Sequence, residues 1–474
     1  MGRERNQPLE LAGKRALVMG LGTRQGGVGV TRYLVSQGAD VTVTDLRDAE
    51  TLQSSIRAIG GLPVRYRLGE HREEDFDSAD LIVRNPGVPL SSPWLQRARR
   101  NGIPIEMEMS LFFRACPAPI IGITGTKGKT TTATICAGIL ARHRPETVLA
   151  GNMGTSALAQ LDRIQAETPV VLELSSWQLE GLADYEMSPH IAVLTNISED
   201  HLNRYDSLGD YIEAKRHITR FQRPDDWFVV NRNDNACWDS RAVSDATVVP
   251  FGVLDGNEDG AGLDDETLYW RWTGERTDLI ESAELPISGR HVIANALAAS
   301  AAAILAGAPV EDVRSGLRDA EAIPHRQELV AVVDGIAFVN DTTATAPAAA
   351  IAALETFQDR PIVLIAGGSG KRTRLDEFAD VATRMTTGIV LLDGEETPRL
   401  RQLLVDAGAP NVSEPVDSMS EAVRLAREWV LADGVVLLSP ACASFGMFQD
   451  EFDRGEQFRD AVSRLRPGQY GGTA

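Results

Sequence analysis

Residues Pro119 to His143 read PIIGITGTKGKTTTATICAGILARH. Ile120, Ile121 and Ile123 make a short apolar strand. Gly125-Thr126-Lys127-Gly128-Lys129-Thr130-Thr131 is a Gly/Thr loop, and the following helix carries Ile135, Ile139 and Leu140 on one face. A strand, a glycine-rich turn and a helix start form a phosphate-binding loop, because backbone N–H groups turn inward and the helix end adds its positive dipole. Lys129 would reach the terminal phosphates and the Thr130 hydroxyl would hold Mg²⁺. The match to G-x-x-x-x-G-K-[ST] is incomplete, since Ile123 stands five residues before Gly128. A glycine-rich turn with a solvated lysine is the plainer alternative; the flanking strand and helix favour nucleotide binding.

Downstream, PVVLELSS (169–176) is an apolar strand with Glu173 inside it, and VLAGN (148–152) is a strand ending at Asn152. A carboxylate in a buried strand is costly without a partner, and a metal would supply one. HIAVLTN (190–196) is another strand, with His201 just beyond it as a candidate ligand or a structural hydrogen-bonding histidine. Lys215, in the helix opened by YIEAK, reads by itself as a solvated surface lysine. Strands near 227–231 and 248–252 complete the sheet, Leu254 to Glu266 reads as a surface loop, and a small-residue helix over 291–305 closes the block.

Upstream, residues 11–115 alternate strand and helix. RALVMG (15–20) and VTVTD (41–45) are strands, a helix spans Val28–Gln37, and DLIVRNPG (80–87) is a strand entering a Pro-Gly turn. This is a doubly wound pattern of the dinucleotide-binding type. The G-x-G-x-x-G fingerprint counted from Gly20 fails at Gln25, which argues against an oxidoreductase. Asp45 could grip a ribose or base, or cap a turn. From Pro324 onward, strands ending at Asn340, Gly368, Gly394 and Pro440 alternate with helices and predict a second parallel sheet. Its strand ends carry Asp341, Lys371, Ser439 and Ser444, and are expected to face the nucleotide domain.

At 474 residues the chain has room for about three domains. A net charge of −20 argues against a general nucleic-acid or anionic-membrane surface and requires any nucleotide site to be locally basic. Four scattered cysteines without a CxxC pair fit a reducing compartment. There is no apolar signal core at the N-terminus and no run near the ~18 apolar residues of a membrane span, so a cytoplasmic, monomeric protein is expected.

Read in order, GITGTKGKTT, GNMG, LELSSWQLE, LTNISEDHLNRY, EAK, HR, NDTTAT, GGSGK and SPACASFGMF resemble the Mur ligases of bacterial cell-wall synthesis over nearly the whole chain. The phosphate loop alone is weakly specific, whereas LELSSWQLE with SPACAS is strongly so. The resemblance implies an α/β fold of three domains. A Rossmann-like UDP-substrate domain would span 1–115, a central P-loop-type ATPase domain 116–323, and a Rossmann-like domain that closes on glutamate and nucleotide 324–474. It implies ATP-dependent amide formation between UDP-N-acetylmuramoyl-L-alanine and D-glutamate through an acyl phosphate, with Mg²⁺ at two sites. Alternatives are the same reaction with L-glutamate, another Mur or folylpolyglutamate-type ligase, or a non-catalytic nucleotide switch.

The resemblance also assigns residues. Gly125 to Thr131 would hold ATP, and Asn295, Arg326 and Asp341 would contact adenine, phosphate and ribose. Thr130, Glu173, His201 and a carbamylated Lys215 would hold metal, with Lys129 on the phosphates. Asp45, Arg47 and Gly87 would meet the uridine diphosphate, Asn152 the alanyl end, and Thr345, Lys371, Ser444 and Phe445 the glutamate. Several positions depart from the family pattern: Val292 replaces an asparagine, Thr343 replaces a lysine near the incoming glutamate, the first turn GLGTRQGGVG is longer than usual, and an aromatic is displaced to Phe452.

Overall fold

The computed structural model describes residues 8–23, 25–152, 156–200, 204–286, 290–320, 324–370 and 374–465, the side chains of Arg290 and His291 excepted. The chain divides into two compact units. One comprises Met1–Ile197, Ile212–Leu285 and Ala294–Asp319; the other comprises Ser198–Tyr211, Pro286–Ile293 and Ala320–Ala474.

The first unit holds two sheets. Strands β1 (Arg15–Met19), β2 (Asp40–Asp45), β3 (Val64–Leu68), β4 (Leu81–Arg84) and β5 (Ile105–Glu106) lie in the order β3-β2-β1-β4-β5, all parallel. Helix α1 (Gln25–Ser36) follows β1. It begins at Gln25, three residues earlier than the sequence suggests. Gly26 and Gly27 are poor helix formers in isolation, but tertiary packing draws them into the first turn. Helix α2 (Glu108–Ala115) leads to the second sheet, built from β6 (Ile120–Thr124), β7 (Val148–Gly151), β8 (Val170–Glu173), β9 (Ile191–Leu194), β10 (Trp227–Asn231), β11 (Thr247–Gly252), β12 (Gly260–Asp264), β13 (Thr267–Trp272) and β14 (Glu275–Glu281). Its order is β14-β13-β12-β11-β10-β9-β6-β8-β7.

The central strands of this sheet are buried along their length, as a parallel sheet covered on both faces requires. The two sheets share one core. Phe112 and Phe113 of α2 pack in the same buried cluster as Val41 and Val43 of the first sheet and Leu172 and Leu174 of the second. The loop expected over Leu254 to Glu266 is in part a strand. β12 pairs parallel to β11 and antiparallel to β13, and β13–β14 form a hairpin. Ladder hydrogen bonds and the buried Tyr269 and Trp270 outweigh the turn-forming composition there.

Helices α3 (Lys129–His143), α4 (Leu208–Arg220), α5 (Arg290–Leu305) and α6 (Val310–Arg318) come next in the chain. Ile135, Ile139 and Leu140 of α3 are buried as expected. No described helix is long and apolar enough to cross a membrane.

The second unit holds β15 (Glu328–Val333), β16 (Ile336–Asn340), β17 (Ile362–Ala366), β18 (Gly388–Leu391) and β19 (Val435–Leu438), in the order β15-β16-β19-β17-β18. The expected parallel sheet is found in β16, β19, β17 and β18, but β15 is an antiparallel edge. Only two residues separate β15 from β16, too few for a parallel crossover. Helix α7 (Pro347–Thr356) opens with Pro347 after Ala346, where a missing N–H costs nothing.

Burial separates two leucines that look alike in sequence. Leu172 is fully buried, whereas Leu329 on β15 is 58% exposed. Leu172→Ala is expected to lower stability by about 2–5 kcal/mol and Leu329→Ala by less than about 0.5 kcal/mol. Shifts in the chemical-denaturation midpoint read the difference, and equal shifts would count against this core.

Candidate active site

The phosphate loop lies between the C-terminal end of β6 and the start of α3. Its amides are divided. Thr126 N–H donates to the Asn196 carbonyl (2.8 Å) and Lys127 N–H to Asn196 Oδ1 (2.8 Å), so this half of the loop is braced against the segment after β9. Thr195 Oγ1 and Asn196 Nδ2 both donate to the Lys127 carbonyl (2.6 and 2.8 Å). The other half is the start of α3, where Gly128 occupies the cap with φ 81° and no side chain caps the first turn. A left-handed backbone suits glycine, and a Cβ there would lie 2.2 Å from Asn295 Oδ1. Asn295, only 4% exposed, therefore sits directly against the loop. It also accepts from Thr132 Oγ1 (3.3 Å). An uncapped helix start presents N–H groups to an anion.

Two lysines end on this loop. Lys129 Nζ donates to the carbonyls of Gly125 (3.1 Å) and Thr126 (2.9 Å), and Lys215 Nζ donates to the Gly125 carbonyl (2.8 Å). Lys215 is 1% exposed, which corrects its reading as a solvated lysine. Its spacing within α4 says nothing of what covers it; α4 turns it inward onto the loop. The pair makes the site locally basic in a chain of net charge −20.

Glu173 closes β8 rather than standing inside it, and is 2% exposed. Its carboxylate accepts from Thr130 Oγ1 (2.6 Å) and Asn152 Nδ2 (3.1 Å). One carboxylate and one hydroxyl, hard oxygen donors beside an anion-binding helix end, fit Mg²⁺, which binds through one or two carboxylates together with substrate phosphates and waters. Among the described residues, no group of three or more His, Cys, Asp or Glu could hold a metal ion. His201 lies outside the described residues.

At the C-terminal end of the first sheet, Asp45 accepts from the Gly22 N–H (3.1 Å), the Arg47 N–H (3.0 Å) and the Arg47 guanidinium (3.1 Å). Burial alone would raise its pKa, but the Arg47 hydrogen bonds and the two amides hold it below the ordinary aspartate value. Gly87 belongs to a neighbouring turn and donates to Asn85 Oδ1 (3.0 Å). Asp45, Arg47 and Gly22 are thus brought together.

In the second unit, Asp341 follows β16 and is 4% exposed. It accepts from Ser439 Oγ (2.7 Å) and the Gln327 N–H (3.2 Å). Arg326 stands between His325 (φ 68°) and Gln327 (φ 44°). Left-handed backbone at two non-glycine residues stores strain of the kind that clusters at functional sites. Thr343 is engaged with the His325 carbonyl through its N–H (3.3 Å) and Oγ1 (3.1 Å). Thr345 lines a small cleft with Ser369, Gly370, Leu375, Glu396, Ala441 and Cys442. Ser444 is buried and its hydroxyl has no hydrogen-bond partner among the described residues, while the adjacent Phe445 is exposed. Lys371 lies outside the described residues.

Sequence reading placed Ser439 at a strand end but missed Thr195 and Asn196. Each is a polar residue just past a buried apolar strand, and that position is the signal that could have found them.

Comparison with known proteins agrees along the chain. Residues 14–106 match the model of the Mur ligase MurD-like N-terminal domain, 123–303 the Mur ligase middle domain, and 325–442 the Mur ligase glutamate ligase domain. A UDP-N-acetylmuramoylalanine–D-glutamate ligase of Roseiflexus sp. is 47% identical, over 96% of this chain and 99% of its own. One of Geobacter metallireducens is 38% identical, over 97% and 100%. Among solved structures, UDP-N-acetylmuramate–alanine ligase of Thermotoga maritima superposes with a TM-score of 0.60 at 21% identity, over 95% of this chain and 99% of that one. A pseudomurein peptide ligase of Methanothermus fervidus superposes with a TM-score of 0.60 at 17% identity, over 96% and 100%. With three domain models in sequence and relatives matched end to end, the chain belongs to the Mur ligase family.

Proposed function

We propose that this ligase joins D-glutamate to UDP-N-acetylmuramoyl-L-alanine, converting ATP to ADP and phosphate. The names of its full-length relatives support the substrates. One observation supports the chemistry above the rest: Glu173 is held by Thr130 of the phosphate loop and by Asn152 of a neighbouring strand end. That contact joins the nucleotide site to the position proposed for the alanyl end of the acceptor. The reading places the protein in the cytoplasm, where ATP and UDP-linked precursors are available, and as a monomer.

The alanine carboxylate takes the γ-phosphoryl group, ADP leaves, and an acyl phosphate forms. The glutamate amine then attacks the acyl carbon, phosphate leaves, and the amine gives up a proton. The first step brings two anions together, so it needs cations and alignment more than covalent help. Lys129 turns from the loop carbonyls to the phosphates, and the amides at the start of α3 receive them. Thr130 and Glu173 would hold Mg²⁺, which would neutralise charge developing on the phosphate oxygens; His201 and a second site belong to the same proposal. A carbamylated Lys215 would exchange an ammonium on the Gly125 carbonyl for an anion able to hold metal.

Asn295, Arg326 and Asp341 are assigned to adenine, phosphate and ribose. Asp45, Arg47 and Gly87 are assigned to the uridine diphosphate, and Thr345, Lys371, Ser444 and Phe445 to glutamate. We assign 1–115, 116–323 and 324–474 to acceptor, nucleotide and glutamate handling.

Lys129→Ala is expected to lower turnover by at least about 10²–10³-fold, as for loss of a principal transition-state cation, with an unchanged melting temperature. Normal turnover in this variant would remove the phosphate-loop assignment. Phosphate release from ATP with UDP-N-acetylmuramoyl-L-alanine is expected with D-glutamate and not with L-glutamate. The reverse would make Thr343 part of a different stereochemical choice, and silence with both would defeat the proposed substrates.

A further inference from the structure

Glu108 opens α2 where the first and second sheets meet, and it is 9% exposed. Its Oε1 accepts from Ser156 Oγ (2.5 Å) and from the Ala157 N–H (3.0 Å). Its Oε2 faces the first turn of α1, where a Cβ on Gly26 would lie 3.1 Å away. One turn on, a Cβ on Gly29 would overlap Ser156 Oγ at 1.9 Å. Glycine at both positions lets α1 close on this carboxyl and on the turn it holds. The same side chain lines a cleft with Gly20, Gly27, Arg84, Asn85 and Pro86. That cleft lies at the C-terminal ends of β1 and β4 beside the start of α1, where doubly wound sheets take their ligands.

Among the described residues, few charges face Glu108. From α1 it meets Gly26 and Gly29, and from the 156–158 turn a hydroxyl and amides. Arg84 is the other charged side chain lining the cleft among the described residues, with its guanidinium 3.1 Å from the Val88 carbonyl and 3.9 Å from Glu180. On α2 itself, Arg114 is paired with Glu106 at 3.0 Å. Burial therefore dominates and pushes the Glu108 carboxyl up to about 7, against hydrogen bonds from Ser156, Ala157 and Leu158 that lower it. Because Oε1 already accepts two donors, the proton of the neutral acid sits on Oε2 and makes it a donor toward the cleft. The ionised acid would instead place a negative oxygen at the positive end of α1 and compete with any other anion there.

We propose that Glu108 is a positioning residue for the UDP-linked substrate, bracing the 156–158 turn against α1 and standing neutral whenever the diphosphate is bound. The proposal rests on the ligase reading above. The esterified diphosphate does not titrate near neutrality, so binding at higher pH must draw a proton onto the protein. Below neutrality Glu108 is already protonated and no uptake occurs. Above it the free protein is ionised, and each binding event takes up a proton.

Two measurements on the full chain test this. KM for UDP-N-acetylmuramoyl-L-alanine is expected to rise about tenfold between pH 7 and 8.5, the effect of one unfavourable ionisation, with KM for ATP unchanged. In Glu108→Gln, which keeps an acceptor for Ser156 and Ala157 and a donor toward the cleft, that rise is expected to vanish. A merely structural role would not move the pH profile. Calorimetry of the native protein at pH 8 in two buffers of different ionisation enthalpy is expected to show uptake of about one proton per substrate bound. Binding without uptake, or a Gln variant with the native slope, would overturn the proposal and leave the ligase reading intact. A protein that binds no UDP-linked substrate at any pH would overturn both.

Discussion

Two ammonium groups end on one carbonyl oxygen, that of Gly125. Lys129 reaches it from the helix that the loop opens, and Lys215 reaches it from α4, ninety residues away in sequence. They stand no more than about 6 Å apart, close enough for like charges to matter. Lys215 is 1% exposed, and bound phosphates would bring further negative charge to this pair. The carbonyl thus acts as a placeholder: it holds the cations where anions are to come.

The rest of the loop is built to keep that arrangement fixed. Asn196 takes two of its amides and returns a hydrogen bond to Lys127, so the loop backbone does not have to be ordered by the ligand. Asn295 packs where any side chain at 128 would stand. What stays available is the helix start, which has no side-chain cap. A rigid frame around an uncommitted anion site is what preorganised electrostatic stabilisation requires.

Much of this was legible in the sequence because the central strands are long apolar runs in a sheet buried on both faces. Most of their ends could be placed to within two or three residues; Asp45 and Asp341 fell at those ends, while Glu173 was read inside a strand that it in fact closes. The hairpin β13–β14 and strand β12 were not legible, because Gly260 to Asp264 has turn composition and becomes a strand only through its partners. Helix α1 was drawn too short because Gly26 and Gly27 oppose a helix locally, and the contacts that favour one lie at Ser156 and Glu108. The burial of Lys215 was invisible for the same reason: residue type and spacing do not say which element covers a side chain. In each case local preference was overridden by a contact distant in sequence.

Glu173 and Glu108 show how far environment divides identical side chains. Both are buried in the same unit, and each accepts from a hydroxyl and from an amide-type N–H. Glu173 sits beside the phosphate loop with its lysines, where its carboxylate could hold a bound cation. Glu108 sits against glycines and a turn, with no ion pair among the described residues, and burial raises its pKa to about 7. Only a group balanced in this way can change charge when an anion arrives, so the two carboxyls are suited to different tasks. Glu173 is suited to hold positive charge in place, and Glu108 to withdraw negative charge from the path of the diphosphate. The glycines and amides around its carboxyl are what fit Glu108 to its place beside α1, and an ion pair at that contact would fix it as an anion and close the site to its ligand.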